Sequence, residues 1–314
     1  MKPGRDRTRH LISLSDLSDE DLEALVERGC AIAAGAPIEG ILRGCVVGVY
    51  FTKTSTRTRT AFSSAAIRLG AGVIAYGPDD LQLNTGETLQ DTGRVLSRML
   101  DVLVVRTAGP PEEMAALAAQ RRMATINAMS ADEHPTQALA DLTTMQLRFG
   151  SLSGLRVLYV GEGNNTAAAL ALALTRFPRA ELHLRTPPGY GLAPGIALRA
   201  KEYVAASGAH LTERHDMGDL PGEVDVVYTT RWQTTGTSKP DPDWRSVFAP
   251  FHVNRELMAR YPMALFMHDL PAHRGEEVSA EVLDGPRSIV FEQAENKMHS
   301  AAAVLEWAAG GGRW

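Results

Sequence analysis

The 314-residue sequence has little of what marks several protein classes. Its two cysteines, Cys30 and Cys45, show no CxxC or Cys/His spacing, which argues against a disulfide framework and a structural zinc site. No apolar run approaches the ~20 residues of a membrane helix, and no apolar stretch follows the basic N-terminus as in a signal peptide. The net charge of −5, without a cationic tail, argues against general nucleic-acid binding. These absences predict a reduced, cytoplasmic protein without a membrane or nucleic-acid partner.

Short apolar runs alternate with longer amphipathic stretches along the chain. Continuous β-branched runs such as VVGVYF suit strands that are buried on both faces. Strands are predicted at 45–51, 72–76, 102–106 and 124–128, and again at 156–160, 181–184, 224–229 and 264–268. Repeated strand–helix units predict an α/β protein with two doubly wound parallel sheets. The Gly/Ser segment at 150–154 predicts domains at 1–150 and 151–293, with the last helix, 294–314, packing back on the first.

The segment after the first predicted strand is dense in hydrogen-bond donors. Ser55, Thr56, Arg57 and Thr58 open a predicted helix, and a helix N-terminus offers unpaired N–H groups and the positive end of the helix dipole. Arginine is the planar, multidentate partner of phosphate oxygens. An N-cap followed by exposed arginines is the alternative, but an N-cap needs a single hydroxyl. The segment therefore predicts an anion site.

Further polar side chains lie where other predicted strands end. Arg106 ends the strand VLVVR, and His134 and Gln137 flank the start of a helix at Pro135. Ligands of open parallel sheets bind at the carboxyl ends of the strands. These side chains are therefore predicted to face one crevice. A surface ion pair for Arg106 and a capping or core role for His134 are the alternatives.

Together these segments resemble the aspartate/ornithine carbamoyltransferase family. The resemblance rests on HLISLSDLS, FTKTSTRTRTAF, GETLQDTGRVL, VVRT, HPTQALADL, VLYVGEGNN, DVVYTTRWQ, FMHDLPAHRGEEV and VFEQAENKMHSAAAVL, which cover nearly the whole chain. It implies the carbamoyltransferase fold, with carbamoyl phosphate bound by the first domain and the acceptor amine by the second. It also implies a homotrimer with shared active sites, and neither metal nor organic cofactor.

The resemblance assigns donor-site roles residue by residue. The carbamoyl-phosphate contacts it implies are Ser55, Thr56, Arg57, Thr58, Gln82, Arg106, His134, Gln137, Leu270 through its carbonyl, and Lys297. Arg57, Thr58, Arg106 and His134 are predicted to be catalytic, because they can donate to the charge that develops on the carbamoyl oxygen and the leaving phosphate. Gln82 is expected to come from a neighbouring subunit. Lys297 stands where the family has Arg and cannot form a bidentate fork.

The acceptor pocket departs from the known members. The predicted acceptor contacts are Asn165, Thr230, Arg231, Gln233 and Asp269. Thr230 stands where ornithine enzymes have an Asp for the α-amino group, Thr234-Thr235 where they have Ser-Met, and Asp269 where they have Cys. These changes argue against ornithine. The segment TRWQ resembles aspartate enzymes, but two of their cationic groups are missing.

Asp269 is the most informative of these changes. A carboxylate in a partly closed pocket needs a partner, and a second ammonium on the acceptor would supply one. The predicted acceptor is therefore a short diamino acid such as 2,3-diaminopropionate, giving a ureido amino acid of specialised metabolism. Ornithine and aspartate are the alternatives. An ion pair between Asp269 and Arg274 or Arg231 is the structural alternative.

Three other interpretations are weaker. GEGNN at 161–165 lacks the full dinucleotide-binding fingerprint. His268, Asp269 and His273 lie on a turn with Pro271 and without an evident fourth metal ligand. A non-catalytic paralogue that binds carbamoyl phosphate or an amino acid is the rival from another class, and the intact donor set argues against it.

Overall fold

The computed structural model describes residues 9–234 and 238–310, which form two compact units. Unit 1 contains the described residues up to 143 and those from 295 onward, and unit 2 contains residues 144–294. The predicted boundary at 150/151 lies a few residues after the first of these transitions. Within the described ranges, no helix combines the length and the apolar character needed to cross a membrane.

Unit 1 is built around a four-stranded parallel sheet. Its strands are β1 (Val46–Phe51), β2 (Gly72–Tyr76), β3 (Val102–Arg106) and β4 (Ala124–Met129), in the order β2-β1-β3-β4. Its helices are α1 (Asp19–Ala33), α2 (Arg57–Arg68), α3 (Leu89–Leu96), α4 (Pro111–Ala118) and α5 (Pro135–Phe149), the last of which runs into unit 2. β3 is buried along its whole length, as its unbroken apolar run predicts.

Strand order explains where the unit 1 site lies. β1 pairs with β2 on one side and β3 on the other, so the chain changes direction across the sheet at β1. Such a switch point leaves a crevice at the carboxyl end of the strand. The register pairs Phe51 with Arg106, which puts the end of β3 beside the start of the segment that leads into α2.

Unit 2 is built around a five-stranded parallel sheet. Its strands are β5 (Arg156–Val160), β6 (Glu181–Arg185), β7 (His210–Arg214), β8 (Val226–Thr229) and β9 (Leu265–His268), in the order β7-β6-β5-β8-β9. Its helices are α6 (Asn165–Leu174), α7 (Pro194–Ser207), α8 (Trp244–Phe248), α9 (Arg255–Arg260) and α10 (Ala280–Leu283). The switch point is at β5, directly before the GEGNN loop.

The last helix, α11 (Val290–Ala309), makes its C-terminal contacts with unit 1. Glu306 pairs with Arg28 of α1 at 2.8 Å, and the Ser300 and Thr143 hydroxyls are 3.0 Å apart. These contacts are why the chain from 295 onward belongs to unit 1.

The predicted fold class, α/β with parallel sheets, is confirmed. One strand was missed: β7, whose sequence HLTER is mostly polar. It lies at the edge of its sheet and has no buried residue and no continuous apolar run. The short helices α8 to α10 were also missed, because a helix of four to six residues is too short to show helical periodicity in its sequence.

Candidate active site

The predicted phosphate segment forms the N-terminus of α2, directly after β1. Thr56 occupies the N-cap position but has helical backbone angles, and its side chain makes no capping hydrogen bond. The alternative of an ordinary hydroxyl N-cap therefore fails at this position. Thr58 is buried, and Ser55 and Arg57 are half-buried. Donor groups thus lie at a helix N-terminus whose N-cap side chain makes no capping hydrogen bond, which is compatible with the predicted anion site.

Arg106 and His134 lie together in unit 1. Nη1 of Arg106 is 3.5 Å from Nε2 of His134, and both side chains are buried. Burial, with Lys297 and Arg106 nearby, holds the pKa of His134 well below its usual value, so the imidazole is neutral. A guanidinium only donates, so Nε2 accepts and Nδ1 carries the proton. To donate to carbamoyl phosphate as predicted, His134 must either use Nδ1–H with a new partner or take the other tautomer, in which Nε2 carries the proton.

Gln137 and Lys297 form a buried chain of polar groups with Asp141. The Gln137 amide donates to Asp141 Oδ1 at 2.8 Å, and Lys297 donates to Gln137 Oε1. Lys297 is itself buried. The structure therefore places Lys297 in contact with a predicted donor-site residue.

Gln82 differs from these buried residues because it is exposed. It begins the short 3-10 turn Gln82–Thr85 and is exposed, with the Thr85 hydroxyl donating to its main-chain carbonyl at 2.7 Å. Its predicted role in a neighbouring subunit stays a prediction.

The residues predicted to bind the acceptor lie at the carboxyl ends of β5, β8 and β9 in unit 2. The register pairs Thr229 with His268, which puts Thr230 and Asp269 side by side. The Thr230 hydroxyl donates to the Asp269 carboxylate at 3.0 Å, and that of Thr166, beside buried Asn165, donates to it at 2.8 Å. The Asp269 side chain is 14% exposed. The carboxylate is thus positioned by hydroxyl groups and keeps an opening to solvent.

The alternative of an ion pair between Asp269 and Arg274 is not what the structure shows. Arg274 instead pairs with Asp284, with hydrogen bonds of 2.8 and 2.6 Å. Arg274 lies on the exposed turn after the HDLP segment, where a surface carboxylate is its nearest partner. Asp269 Oδ1 instead lies 3.3 Å from Nδ1 of His268. Burial lowers the pKa of this histidine, but Asp269 and Glu277 outweigh that effect and raise it.

Arg231 and Gln233 follow Thr230 on the same loop and are half-buried. Nε of Arg231 is buried and meets no hydrogen-bond acceptor within the described part of the chain. A buried guanidinium N–H without an acceptor is costly. The loop therefore offers a cation that a ligand carboxylate can satisfy. Thr235 lies outside the described residues.

The turn that carries Leu270 is held by a buried histidine. The Leu270 N–H donates to His268 Nδ1 at 2.8 Å, and His268 Nε2 lies 3.1 Å from Glu277 Oε1. Since Nδ1 accepts, Nε2 carries the proton and donates to Glu277. Leu270 has a φ of 54°, a left-handed conformation that costs a non-glycine residue about 1–2 kcal/mol. The bond to His268 satisfies the Leu270 N–H and offsets part of that cost.

Sequence reasoning missed a buried lysine, Lys239, on the loop that follows β8. Nζ of Lys239 is 2.6 Å from Glu162 Oε1, and the lysine side chain is 4% exposed. It lies over the rings of Tyr190, Phe248 and Trp244, at 4.5, 4.7 and 5.4 Å from their centroids. The aromatic residues that follow Lys239 in sequence, Trp244 and Phe248, are the signal that could have identified it.

Hydrogen bonds of Thr234 also hold the loop that follows β8. The Asn164 amide donates to the Thr234 hydroxyl at 3.0 Å, and that hydroxyl is 3.5 Å from Glu162 Oε2. Residues on both sides of 235–237 are thus bonded to the GEGNN loop after β5.

The structure gives little support to a metal site on the turn after β9. His273, Glu276 and Glu277 bring ligand atoms within 4.8 Å of one another. Glu277 is fully buried, however, and its Oε1 is already used by His268. The group is therefore explained as the brace of the turn that carries Leu270.

Comparison with known proteins covers almost the whole chain. Residues 9–147 match the family model described as "Aspartate/ornithine carbamoyltransferase, carbamoyl-P binding domain". Residues 153–308 match the model described as "Aspartate/ornithine carbamoyltransferase, Asp/Orn binding domain".

Individual relatives point the same way. Ornithine carbamoyltransferase of Methanothermobacter thermautotrophicus is 38% identical over 96% of this chain and 99% of its own length. That of Bacillus subtilis is 37% identical over 95% of this chain and 93% of its own. The solved ornithine carbamoyltransferase from Pyrococcus furiosus, 36% identical, superposes with a TM-score of 0.91 over 98% of this chain and 99% of that one.

Proposed function

The chain belongs to the aspartate/ornithine carbamoyltransferase family and is a carbamoyltransferase; from this premise we propose that its acceptor is ornithine. The reaction would give a ureido amino acid and phosphate. The relatives described above are named ornithine carbamoyltransferase. The acceptor predicted from the sequence, 2,3-diaminopropionate, has no support from these names.

The observation that carries the proposal is the contact between Thr230 and Asp269. From the sequence, each counted as a separate change against ornithine. Their side chains are 3.0 Å apart, so the pocket keeps one carboxylate beside position 230 and only its strand has changed. An ornithine α-ammonium needs such a carboxylate, and the Arg231 guanidinium can take the α-carboxylate. The two substitutions thus compensate each other in charge.

The donor half of the reaction follows from the charges in unit 1. The uncharged side-chain amine attacks the carbamoyl carbon, a C–N bond forms, and negative charge develops on the carbamoyl oxygen. Thr58 and Arg106 donate to that oxygen, and one such donor is worth roughly 10²–10³ in rate. The C–O bond to phosphate then breaks. Arg57 and the N–H groups of α2 stabilise the leaving phosphate, which accepts the amine proton.

Lys297 and the neutral His134 complete the donor set in this proposal. Lys297 adds positive charge beside Gln137, and its charge helps to keep His134 unprotonated. We further propose that the enzyme is a cytoplasmic homotrimer, with Gln82 reaching the site of a neighbouring copy. Light scattering on the purified protein tests the trimer.

An acceptor screen tests the proposed function. The protein is mixed with carbamoyl phosphate and one amine: ornithine, 2,3-diaminopropionate, 2,4-diaminobutyrate, lysine, aspartate or putrescine. Ureido product is measured by mass, with an enzyme-free blank for spontaneous decomposition. The highest kcat/KM for ornithine supports the proposal. A higher value for 2,3-diaminopropionate overturns it and restores the prediction of a specialised pathway. Tight carbamoyl phosphate binding without any product would indicate the non-catalytic paralogue.

A matched pair of variants tests the Asp269 argument. Asp269→Asn removes the pocket charge, and Asp284→Asn removes a surface carboxylate that pairs with Arg274. A hydrogen bond to a charged group contributes about 1.5–3 kcal/mol, so we expect Asp269→Asn to raise the acceptor KM about 10- to 100-fold. The KM of carbamoyl phosphate should not change, and Asp284→Asn should resemble the wild type. An unchanged acceptor KM in Asp269→Asn would remove Asp269 from the pocket.

A further inference from the structure

A cavity of about 780 Å³ lies in unit 2 along the outer strands β6 and β7, beside α7. Leu192, Leu211 and Leu220 give it an apolar wall, and Arg185, Lys201 and Arg214 give it positive charge. None of the residues predicted to bind either substrate lines it. Its size is within the roughly 300–1,000 Å³ of small-molecule sites.

Most charged groups of the cavity are already paired. Arg214 binds Asp219 at 2.7 Å and Asp216 at 3.2 Å. Glu213 accepts from the Leu192 N–H at 2.9 Å and the Thr186 hydroxyl at 3.1 Å. These contacts account for every carboxylate of the lining, since Glu213 and Asp219 are the acidic residues in it.

Arg185 is the buried exception. It is 2% exposed, yet in the described part of the chain it donates only to main-chain carbonyls, those of Leu184 at 3.1 Å and Asp219 at 2.9 Å. Its Nε is buried and finds no acceptor within the described residues. Burial, and then the neighbouring Arg214, lower the pKa of the guanidinium, although arginine stays charged. Asp216 and Asp219 act on this cation from a distance, but within the described residues it has no ion pair. A buried guanidinium N–H without an acceptor is costly, and an anion in the cavity would satisfy it.

We propose that this cavity binds a small, partly apolar metabolite through a phosphate or carboxylate group held by Arg185. Lys201, the other cation of the lining without an ion pair in the described part of the chain, adds to the attraction. The apolar wall takes the remainder of the molecule. The site is additional to the substrate sites of the proposed function and does not depend on the identity of the acceptor.

Calorimetric titration with phenyl phosphate and with benzoate tests the proposal, and benzyl alcohol serves as the uncharged control. Because the donor site also binds phosphate groups, each probe is titrated into wild type, Arg185→Gln and Arg57→Gln. We expect a binding event that survives Arg57→Gln and weakens about tenfold or more in Arg185→Gln, as for the loss of a charged hydrogen bond. Whether phenyl phosphate or benzoate binds better identifies the anionic group.

A second pair of variants guards against misfolding of Arg185→Gln. Ala197→Trp fills the cavity from α7, whereas Leu198→Trp adds the same side chain at a neighbouring position that is 63% exposed and does not line it. We expect Ala197→Trp to abolish the binding and Leu198→Trp to keep it. Equal binding by wild type and Ala197→Trp, binding lost only in Arg57→Gln, or no binding of either anion to the wild type would each overturn the proposal.

Discussion

Replacing Lys239 with methionine removes a buried charge and keeps most of the side-chain volume. The lysine pairs with Glu162 at 2.6 Å, and its ammonium lies over the rings of Tyr190 and Phe248. The segment that begins at Arg231 is thereby tied to the loop after β5. If this contact positions the loop, its loss should weaken both the fold of unit 2 and the binding of the acceptor.

The magnitude follows from the burial of the two partners. Removing one member of a fully buried pair costs about 3–5 kcal/mol. Glu162 retains 17% exposure of its side chain, which reduces that cost, and the lost cation–π contacts add about 1–2 kcal/mol. Together these contributions give an expected loss of about 3–6 kcal/mol. For a unit of this size, that lowers Tm by roughly 6–24 °C.

The loss should also depend on pH. Burial raises the pKa of Glu162, and Lys239 opposes that rise. Without Lys239 the folded-state pKa rises further, so the folded protein binds a proton that the unfolded chain releases. Stability then falls as pH increases from the ordinary carboxyl pKa to the raised one. The Tm difference between Lys239→Met and wild type should therefore narrow under acidic conditions.

Thermal unfolding and steady-state kinetics measure these effects in wild type, Lys239→Met, Glu162→Gln and the double variant. The double variant should lose less than the sum of the single losses, because the partners are coupled. The acceptor KM should rise while the KM of carbamoyl phosphate stays constant. Lys201→Met, at an exposed lysine on α7, is the control. Additive losses, or a Tm for Lys239→Met equal to that of the control, would refute the reasoning.

Three further variants address unit 1, and a fourth, Gly195→Ala in unit 2, is a control. Burial raises the pKa of Glu133 to about 7, so the stability of the folded protein should fall as pH rises from the ordinary carboxyl pKa to pH 7. Glu133→Gln should abolish this fall and be about 2–3 kcal/mol more stable than the wild type above pH 7. Thermal unfolding across that pH range measures both effects. Gly93→Ala would place a Cβ 2.7 Å from the Leu117 carbonyl oxygen and should cost about 1–3 kcal/mol in chemical denaturation, whereas Gly195→Ala, in open space, should be neutral or slightly stabilising. Lys297→Arg should retain carbamoyl transfer within about tenfold in steady-state assays, since either side chain supplies the cation; complete loss would contradict its placement in the donor site.

The local pattern of the sequence determined the fold class and the family. Continuous apolar runs such as 46–51 and 102–106 became β1 and β3, because a strand buried on both faces must be apolar at every position. The donor-rich segment at 55–58 lies at the start of α2 as predicted. The family resemblance, which rests on motifs along the whole chain, is confirmed by both domain models.

Only the tertiary structure decided which side chains meet. Thr230 and Asp269 are 39 residues apart in sequence, Glu162 and Lys239 are 77 apart, and Gln137 and Lys297 are 160 apart. Each pair joins because parallel strands bring their carboxyl ends together or because α11 returns to unit 1. Residue types alone made Thr230 and Asp269 two losses, whereas their contact makes them one relocated charge. Electrostatic free energy depends on distance, and distances between remote residues are set by the fold.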